Sequence, residues 1–322
     1  MNGEMVMHSP VQIGSIPRAG FGCPGRLSAT AELLARAEAA LAATPRQRTQ
    51  LIEHEGECFV VKRVKPRPRH MVQSWFWRWR VVLGAKTTSQ EAQARSLPVA
   101  PNSAYEARRL TALAAAGVRV PRIVHIGSEY LLLEYCGTSI AMLVRGWSAD
   151  TWRHELQRLA EQLAALHRSG QWHGAAQLKN LTRHGGNDYR IDFEENFGEL
   201  LPLAMVQAID VLLFLNSMSL REPIDEAEAR SLLPMLLDCY LTANPDPRVQ
   251  RALARLLAWA DLPTGLLALA MRRRKSGRRR NGLARLVILV DVLAARLSPK
   301  PPDVKLATPA APPSTTRPLR KA

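Results

Sequence analysis

The sequence predicts a mixed α+β fold, in which a strand-rich first part is followed by a larger helical part. Residues 49–64, TQLIEHEGECFVVKRV, have the pattern of two strands around a turn at residues 55–57 and predict a hairpin. Residues 203–220 are apolar on nearly every face, which is typical of a helix buried inside a globular part. At 322 residues, 47% of them hydrophobic, the chain is large enough to bury a sizeable core.

Helix and strand signals alternate through the rest of the first part. A helix is predicted over residues 30–42, ahead of the hairpin. Another begins with Ser103 as its N-cap and ends at Gly117, a residue type that commonly follows the last helical turn. Two strands come next, and the second covers residues 130–135.

The helical part is predicted to open with a long amphipathic helix. Asp150 is its expected N-cap, and residues 151–169 form its body. Apolar residues recur every three or four positions and should face the core: Trp152, Leu156, Leu159, Leu163 and Leu166. Two or three further helices are predicted over residues 225–270.

The stretch from Leu163 to Glu195 carries the strongest functional signal. A loop leads to Asn180, a turn lies at residues 185–187, and an apolar strand is predicted to run into residues 191–194. Asn180 and Asp192 should therefore lie at adjacent strand ends joined by a tight turn. Their side-chain oxygens suit Mg²⁺, which takes oxygen ligands from one or two protein groups together with substrate phosphates. Either residue alone has an ordinary explanation, because Asn and Asp bond the local backbone at turns.

This stretch resembles the H-x-D-x-x-x-x-N … D-F-G arrangement of kinase-fold phosphotransferases. His173 falls on the histidine, Asn180 on the asparagine and Asp192 on the metal-binding aspartate. Ala175 stands where the family has its catalytic-base aspartate, and Glu194 replaces the glycine. The resemblance implies a two-lobed protein-kinase-like fold that binds ATP and Mg²⁺, with Asn180 and Asp192 as the metal ligands.

Three further positions resemble the nucleotide site of that family. Lys62 ends a strand, as does the kinase lysine that contacts the nucleotide phosphates, and Glu106 resembles the helix glutamate that pairs with it. Glu134 lies near the end of the predicted strand at 130–135, just before a Cys-Gly break that resembles the hinge, where backbone groups meet adenine. Glu106 has a local explanation as well, since an acid near a helix N-terminus is favoured by the helix dipole. Asp210, inside the apolar helix, resembles the aspartate that bonds the catalytic-loop backbone.

The order of these features narrows the resemblance. A strand lysine, a Trp/Arg-rich insertion, a helix carrying Glu106, and then AAGVRVPR and HIG look like the lipopolysaccharide kinases of Gram-negative bacteria, which phosphorylate heptose and Kdo sugars of the inner core. The resemblance covers residues 47–220. It implies an ATP-dependent phosphotransferase that acts on a hydroxyl of a membrane-associated acceptor, in the cytoplasm and peripheral to the inner membrane.

With this interpretation the chain divides into four parts. Residues 1–46 form an N-terminal extension, and residues 47–140 form the small lobe, with an insertion at 65–102. Residues 141–298 form the helical lobe. Residues 299–322 are rich in proline and basic residues and are expected to be disordered.

Charge and composition limit the classes of partner and the cellular compartment that the sequence favours. The net charge of +16 favours an anionic partner, namely a membrane surface, a phosphorylated substrate or nucleic acid. The cysteines are far apart and form no C-x-x-C pair, which indicates reduced thiols: Cys23, Cys58, Cys136 and Cys239. No window offers the roughly 18 uncharged apolar residues of a membrane span, and the first residues do not resemble a secretory signal.

Two basic segments are candidate contact surfaces. Residues 65–86 interleave Lys and Arg with Trp75, Phe76, Trp77 and Trp79, a mixture that suits an anionic membrane interface. It also suits single-stranded nucleic acid, or simple packing of the insertion. Residues 271–298 join a basic cluster to an apolar helix, and membrane contact, nucleic acid and a solvated basic turn all remain open.

The candidate catalytic residues are His173, Gln177 and Glu194. A general base contributes about 10²–10⁴-fold to a rate, so alanine at position 175 is compatible with a slow enzyme. Gln177, Glu194 or Glu195 would then orient the acceptor hydroxyl. Three function classes follow: a kinase, a kinase-fold scaffold or regulator without activity (a pseudokinase), and a nucleic-acid-binding protein.

Overall fold

The computed structural model describes residues 29–63, 102–195, 198, 201–218, 226–256 and 278–297. Residues 1–28 of the predicted N-terminal extension, nearly all of the Trp/Arg-rich insertion, residues 271–277 of the basic cluster and the proline-rich tail lie outside the described residues. Within them the fold is mixed α+β, as predicted.

The helices occur mostly in the second half of the described chain. They are α1 (Ala31–Ala43), α2 (Asn102–Ala115), α3 (Ile140–Leu143), α4 (Ala149–Arg168), α5 (Leu203–Ser217), α6 (Glu226–Ala243), α7 (247–256) and α8 (Arg278–Leu297). Short 3₁₀ turns cover Val144–Gly146 and Leu178–Asn180. None of the helices in the described ranges combines the length and apolar character that a bilayer crossing requires.

The strands form two antiparallel sheets. The first sheet has the order β1-β2-β4-β3, and the second has the order β5-β6-β7. The strands are β1 (Thr49–His54), β2 (Glu57–Arg63), β3 (Ile123–Ile126), β4 (Tyr130–Glu134), β5 (Thr138–Ser139), β6 (Leu181–His184) and β7 (Asn187–Arg190).

The first sheet is covered by a helix on each face, and β4 shows how. Its apolar run alternates between two clusters: Tyr130 and Leu132 pack with α1, whereas Leu131 and Leu133 join the main core with α2. A strand that is buried on both faces has a continuous apolar sequence, which explains the run YLLLE at 130–134.

The main core lies among the helices of the second half. The predicted core face of α4 is buried at every expected position, and α6 and α8 pack on the same cluster. Helix α5 is apolar all round because it lies inside this core, where Asp210 is fully buried.

The structure moves four predicted boundaries by one or a few residues. Helix α4 is capped by Ser148, whose hydroxyl accepts a hydrogen bond from Thr151 N–H at 3.2 Å, so Asp150 lies in the first turn and is not the N-cap. Ser103 lies inside α2, which begins at Asn102. Glu57 belongs to β2 and not to the hairpin turn, and β7 ends at Arg190, before the predicted residues 191–194.

Candidate functional site

Four charged side chains from three parts of the chain meet at one point. Lys62 Nζ lies 2.8 Å from both carboxylate oxygens of Glu106. The same nitrogen lies 2.6 Å from Asp192 Oδ1 and 2.6 Å from Glu194 Oε1. Lys62 and Glu106 are buried, and a charged group can be buried at tolerable cost only with such partners.

The sheet and α2 fix the positions of the first two residues. Lys62 faces Thr49 of β1 and Leu131 of β4 in the strand register, so it occupies a central strand. Glu106 lies in the first turns of α2, and its Oε1 also accepts a hydrogen bond from Phe193 N–H at 3.2 Å. Glu106 therefore connects the sheet to the segment that follows β7.

A fifth residue, Arg48, completes the cluster. Its guanidinium donates a hydrogen bond to Glu194 Oε1, the oxygen that Lys62 also contacts. Two cations thus face the three carboxylates of Glu106, Asp192 and Glu194.

The carboxylates offer a possible metal site. Oxygen atoms of Glu106, Asp192 and Glu194 lie within 4.8 Å of one another. Hard divalent cations such as Mg²⁺ prefer oxygen ligands of this kind, so the donor chemistry fits that ion. Asp192 belongs both to this set and to the pair predicted from the sequence, whereas Glu106 and Glu194 were not predicted as metal ligands.

Asn180, the other predicted metal ligand, lies on the 3₁₀ turn just before β6 and is buried. Its Nδ2 donates a hydrogen bond to the carbonyl of Ala175 at 2.9 Å. Because the amide nitrogen serves the loop backbone, the amide oxygen is the atom that can ligate a cation. The carbonyl of Asn180 also accepts from Ile191 N–H at 3.0 Å, which ties the turn to the segment leading to Asp192.

The backbone at Asp192 is unusual. Asp192 has a φ of 70°, in the left-handed region that non-glycine residues seldom adopt. Such a conformation costs of order 1–3 kcal/mol and persists where the surroundings hold it. Lys62 on one side and the Phe193–Glu106 hydrogen bond on the other provide those contacts.

A salt-bridge network anchors the β6–β7 hairpin to α4. Arg183 Nη2 lies 2.6 Å from Glu155, and Arg183 Nε lies 2.8 Å from Asp188. Arg158 contacts the same two acids, at 2.8 Å and 2.5 Å.

The turn of this hairpin is Gly185-Gly186, and both glycines have positive φ, as a two-residue turn requires. The network thus fixes the hairpin that separates Asn180 from Asp192.

Asp210 holds the loop before Asn180. Its Oδ2 accepts a hydrogen bond from His173 N–H at 2.6 Å, and its Oδ1 accepts from Gly174 N–H at 2.8 Å. Burial by itself raises the pKa of this carboxyl, but its interactions with His167 outweigh burial and the pKa lies below its ordinary value. Gly174 has a φ of 89°, and a Cβ there would lie 2.9 Å from the Trp172 ring, so this loop position requires glycine.

The His173 side chain is buried and packs against Phe193. Its ring is 1% exposed and stacks on Phe193 with 4.3 Å between the ring centroids. Burial lowers its pKa to about 4, so the ring is neutral at pH 7, and its Nδ1 accepts from Ala175 N–H at 3.2 Å. His173 was predicted as a catalytic residue; enclosed in this way, it positions the loop.

Three other predicted residues have distinct surroundings. Gln177 is half-buried, and its backbone N–H donates to the Ala175 carbonyl at 2.7 Å. Glu194 is buried between Lys62 and Arg48, and its carboxylate contacts both cations. The carboxylate of Glu134, at the end of β4, binds Arg122, the residue before β3, and accepts from its backbone N–H at 3.2 Å and its Nε at 3.0 Å.

Sequence reasoning missed Arg48. Its position follows from the strand register. Thr49 pairs with Lys62, and Arg48 comes directly before Thr49, so Arg48 lies next to Lys62. The predicted turn at residues 55–57 pairs Lys62 with Gln50, one residue away from the observed partner Thr49, so counting back from that turn would not have found Arg48.

Neither the protein-family models nor the curated proteins with which the sequence was compared give a match. The function is therefore inferred from the geometry of the site.

Proposed function

We propose that this chain is an ATP-dependent, Mg²⁺-requiring phosphotransferase with a two-lobed, protein-kinase-like fold. The observation that carries the proposal is the buried Lys62–Glu106 ion pair with Asp192 in contact with the same lysine. In protein kinases a strand lysine pairs with a helix glutamate and contacts the nucleotide phosphates, and an aspartate nearby holds the metal. Here one strand, one helix and one post-strand loop supply the same three residue types.

The contacts of the loop support the same proposal. A buried aspartate on an apolar helix accepts two backbone hydrogen bonds from His173 and Gly174, and Asn180 bonds the carbonyl of Ala175. These bonds fix the loop whose sequence resembles the kinase catalytic loop. Positioning of this kind accounts for most of the catalysis in phosphoryl transfer, since little covalent chemistry is left to the protein.

Each residue has a proposed role. Lys62 binds the nucleotide phosphates and Glu106 orients it, while Asp192 and Asn180 are the expected ligands of Mg²⁺. A bound Mg²⁺ would neutralise negative charge on the nucleotide phosphates. Alanine at 175 provides no carboxylate for the acceptor proton, so we expect slow transfer. Glu195 is the candidate to orient the acceptor hydroxyl, because its Cβ lies 3.2 Å from the position of a Cβ on Gly174, beside the loop.

We propose a membrane-associated acceptor. The support is the resemblance of residues 47–220 to the lipopolysaccharide sugar kinases, together with the net charge of +16. The basic segments 65–86 and 271–298 are the proposed contacts with an anionic membrane surface, because Lys and Arg near such a surface contribute about 1 kcal/mol each. The enzyme would then work at the cytoplasmic face of the inner membrane.

The test is transfer of the labelled γ-phosphate of ATP to lipopolysaccharide that lacks inner-core phosphates. We expect Mg²⁺-dependent labelling with the native chain and none with Asp192→Ala, while Asp150→Ala, which changes an exposed acid of α4, labels like the native chain. Equal labelling by native chain and Asp192→Ala would refute the assigned metal ligand.

A kinase-fold scaffold without turnover is the second candidate. Two observations favour it. Position 175 has no acid, and the side chains that would contact ATP and Mg²⁺ contact each other instead, in the Arg48–Glu194 and Lys62–Asp192 ion pairs. The same labelling experiment separates the two candidates. Transfer to any acceptor by pure protein rejects the scaffold, whereas ATP binding without transfer or hydrolysis supports it.

A further inference from the structure

The β1–β2 hairpin has its glycine turn at the end remote from Lys62. The turn consists of Glu55 and Gly56, and Lys62 pairs with Thr49 at the opposite end of the hairpin. Glu57 and Lys62 are five positions apart on β2, which corresponds to roughly 17 Å. The backbone of this turn is therefore too distant to hold a phosphate that Lys62 contacts.

Arg48 lies at the end of the hairpin that is next to Lys62. Its carbonyl accepts a hydrogen bond from Arg63 N–H at 2.8 Å, so its backbone is fixed one position before β1. The residue lies in a bend, outside the regular strand alternation, and its side chain is 29% exposed. From this position the Arg48 side chain contacts Glu194 and remains partly exposed to solvent.

Two cations are held together by one oxygen atom. Glu194 Oε1 accepts from the Arg48 guanidinium and lies 2.6 Å from Lys62 Nζ. The two positive groups repel each other, and the anionic oxygen that both contact offsets that repulsion. A phosphate oxygen has the charge and hydrogen-bonding capacity to replace that carboxylate oxygen, and the planar guanidinium suits phosphate geometry.

We propose that Arg48 is a nucleotide-phosphate-binding residue, which Glu194 holds in the nucleotide-free protein and releases to the ATP polyphosphate. Arg48 then does with a side chain what a glycine-rich loop does with backbone N–H groups. The inference rests on the proposed function, since it assigns a further binding residue to the same ATP site.

The test is calorimetric titration of the native chain, Arg48→Ala and Arg48→Lys with Mg·ATP and, separately, with adenosine. We expect Arg48→Ala to weaken Mg·ATP binding about tenfold or more and to leave adenosine binding unchanged, because adenosine carries no phosphate. Arg48→Lys should bind Mg·ATP with intermediate affinity. The matched control is Arg36→Ala, which removes an exposed arginine of α1 paired with Glu32 and should bind like the native chain.

A double-mutant cycle separates phosphate contact from an indirect role through Glu194. If Arg48 acts only by holding Glu194, Arg48→Ala has no further effect in a Glu194→Gln background. We expect the loss of Mg·ATP affinity to persist there. Disappearance of the loss, or an equal loss for adenosine, would overturn the inference.

The outcomes also distinguish the two proposals. Native-like Mg·ATP affinity in Arg48→Ala overturns the role of Arg48 alone, provided that binding still requires Asp192. Failure of the folded native chain to bind Mg·ATP overturns the ATP site, and the role of Arg48 with it.

Discussion

The ammonium nitrogen of Lys62 lies 2.8 Å from each carboxylate oxygen of Glu106, although 44 residues separate the two in the chain. This pair fixes α2 against the sheet. Phe193 N–H donates to the same carboxylate, so the segment after β7 is held by the same contact. Because loss of one partner of a buried ion pair typically costs about 3–5 kcal/mol, the sheet, the helix and the Asp192 segment depend on one another for their positions.

Removing the Asp210 carboxylate should destabilise the fold. Asp210→Ala leaves two buried N–H groups, of His173 and Gly174, without their acceptor, and each costs about 1–3 kcal/mol. We expect a total loss of roughly 2–6 kcal/mol in the free energy of unfolding, measured by urea titration. Asp150→Ala, at an exposed position in the first turn of α4, should cost no more than about 1 kcal/mol. Equal losses in the two variants would refute the anchoring role of Asp210.

Restoring an acid in the catalytic loop should raise turnover. Ala175 is half-buried beside Asn180, where a carboxylate could accept the proton of an acceptor hydroxyl. We expect Ala175→Asp to increase the rate of phosphate transfer by about 10²–10⁴-fold with little change in Mg·ATP affinity. Ala175→Asn is the matched control, because it has nearly the same size and no basic oxygen of comparable strength. A gain that Asn reproduces, or no gain at all, would show that the rate is not limited by proton acceptance.

Acid should destabilise the protein through its buried histidines. Burial lowers the pKa of His173 from 6.5 to about 4 and lowers that of His167 as well. Between those pH values the unfolded chain binds a proton that the folded chain does not, so stability falls as the pH decreases from about 6.5 to about 4. The slope is about 1.4 kcal/mol per pH unit for each such group.

The check is the urea midpoint measured at several pH values for the native chain and His173→Asn. The variant lacks the buried imidazole and should show a shallower decline over the window; His184→Asn, at an exposed position, is the matched substitution. An unaltered slope in His173→Asn would contradict the assigned protonation.

Gly137 should be far less replaceable than Gly56, although both have positive φ, 86° and 77°. A Cβ on Gly137 would lie 2.0 Å from the carbonyl oxygen of Arg183, whereas one on Gly56 meets nothing within 4 Å. We expect Gly56→Ala to cost about 1 kcal/mol from backbone strain alone and Gly137→Ala about 3 kcal/mol, since it adds a steric clash with backbone. Thermal unfolding of the two variants measures the difference, and similar melting temperatures would contradict it.

The α+β fold class was predictable because each element carries its own periodicity. The hairpin, the buried helix around Asp210 and the core face of α4 follow from patterns confined to a few residues. The ends of the helices were harder to predict, because more than one residue type can cap a helix. Ser148 and Asp150 are both suitable N-caps for α4, and the hydrogen bond from Thr151 N–H to the Ser148 hydroxyl identifies Ser148 as the cap.

The candidate site was only partly predictable for a different reason. Glu194 was interpreted as a departure from a motif and as a candidate catalytic residue. Nothing near it in the sequence indicates that it pairs with Arg48 and Lys62, which lie 146 and 132 residues earlier. Glu134 shows the converse, since a strand-ending acid that appeared suited to a ligand is bound to Arg122. Contacts of this kind depend on how the sheet and the β7 segment come together, and local patterns do not specify that arrangement.

The most direct test of the ATP site is calorimetric titration of the folded chain with ATP, with and without Mg²⁺, alongside Asp192→Ala and the control Asp150→Ala. The account predicts binding by the native chain and by Asp150→Ala that requires Mg²⁺, and its loss in Asp192→Ala. Absence of binding by the folded native chain would contradict the account, as would equal affinity in Asp192→Ala.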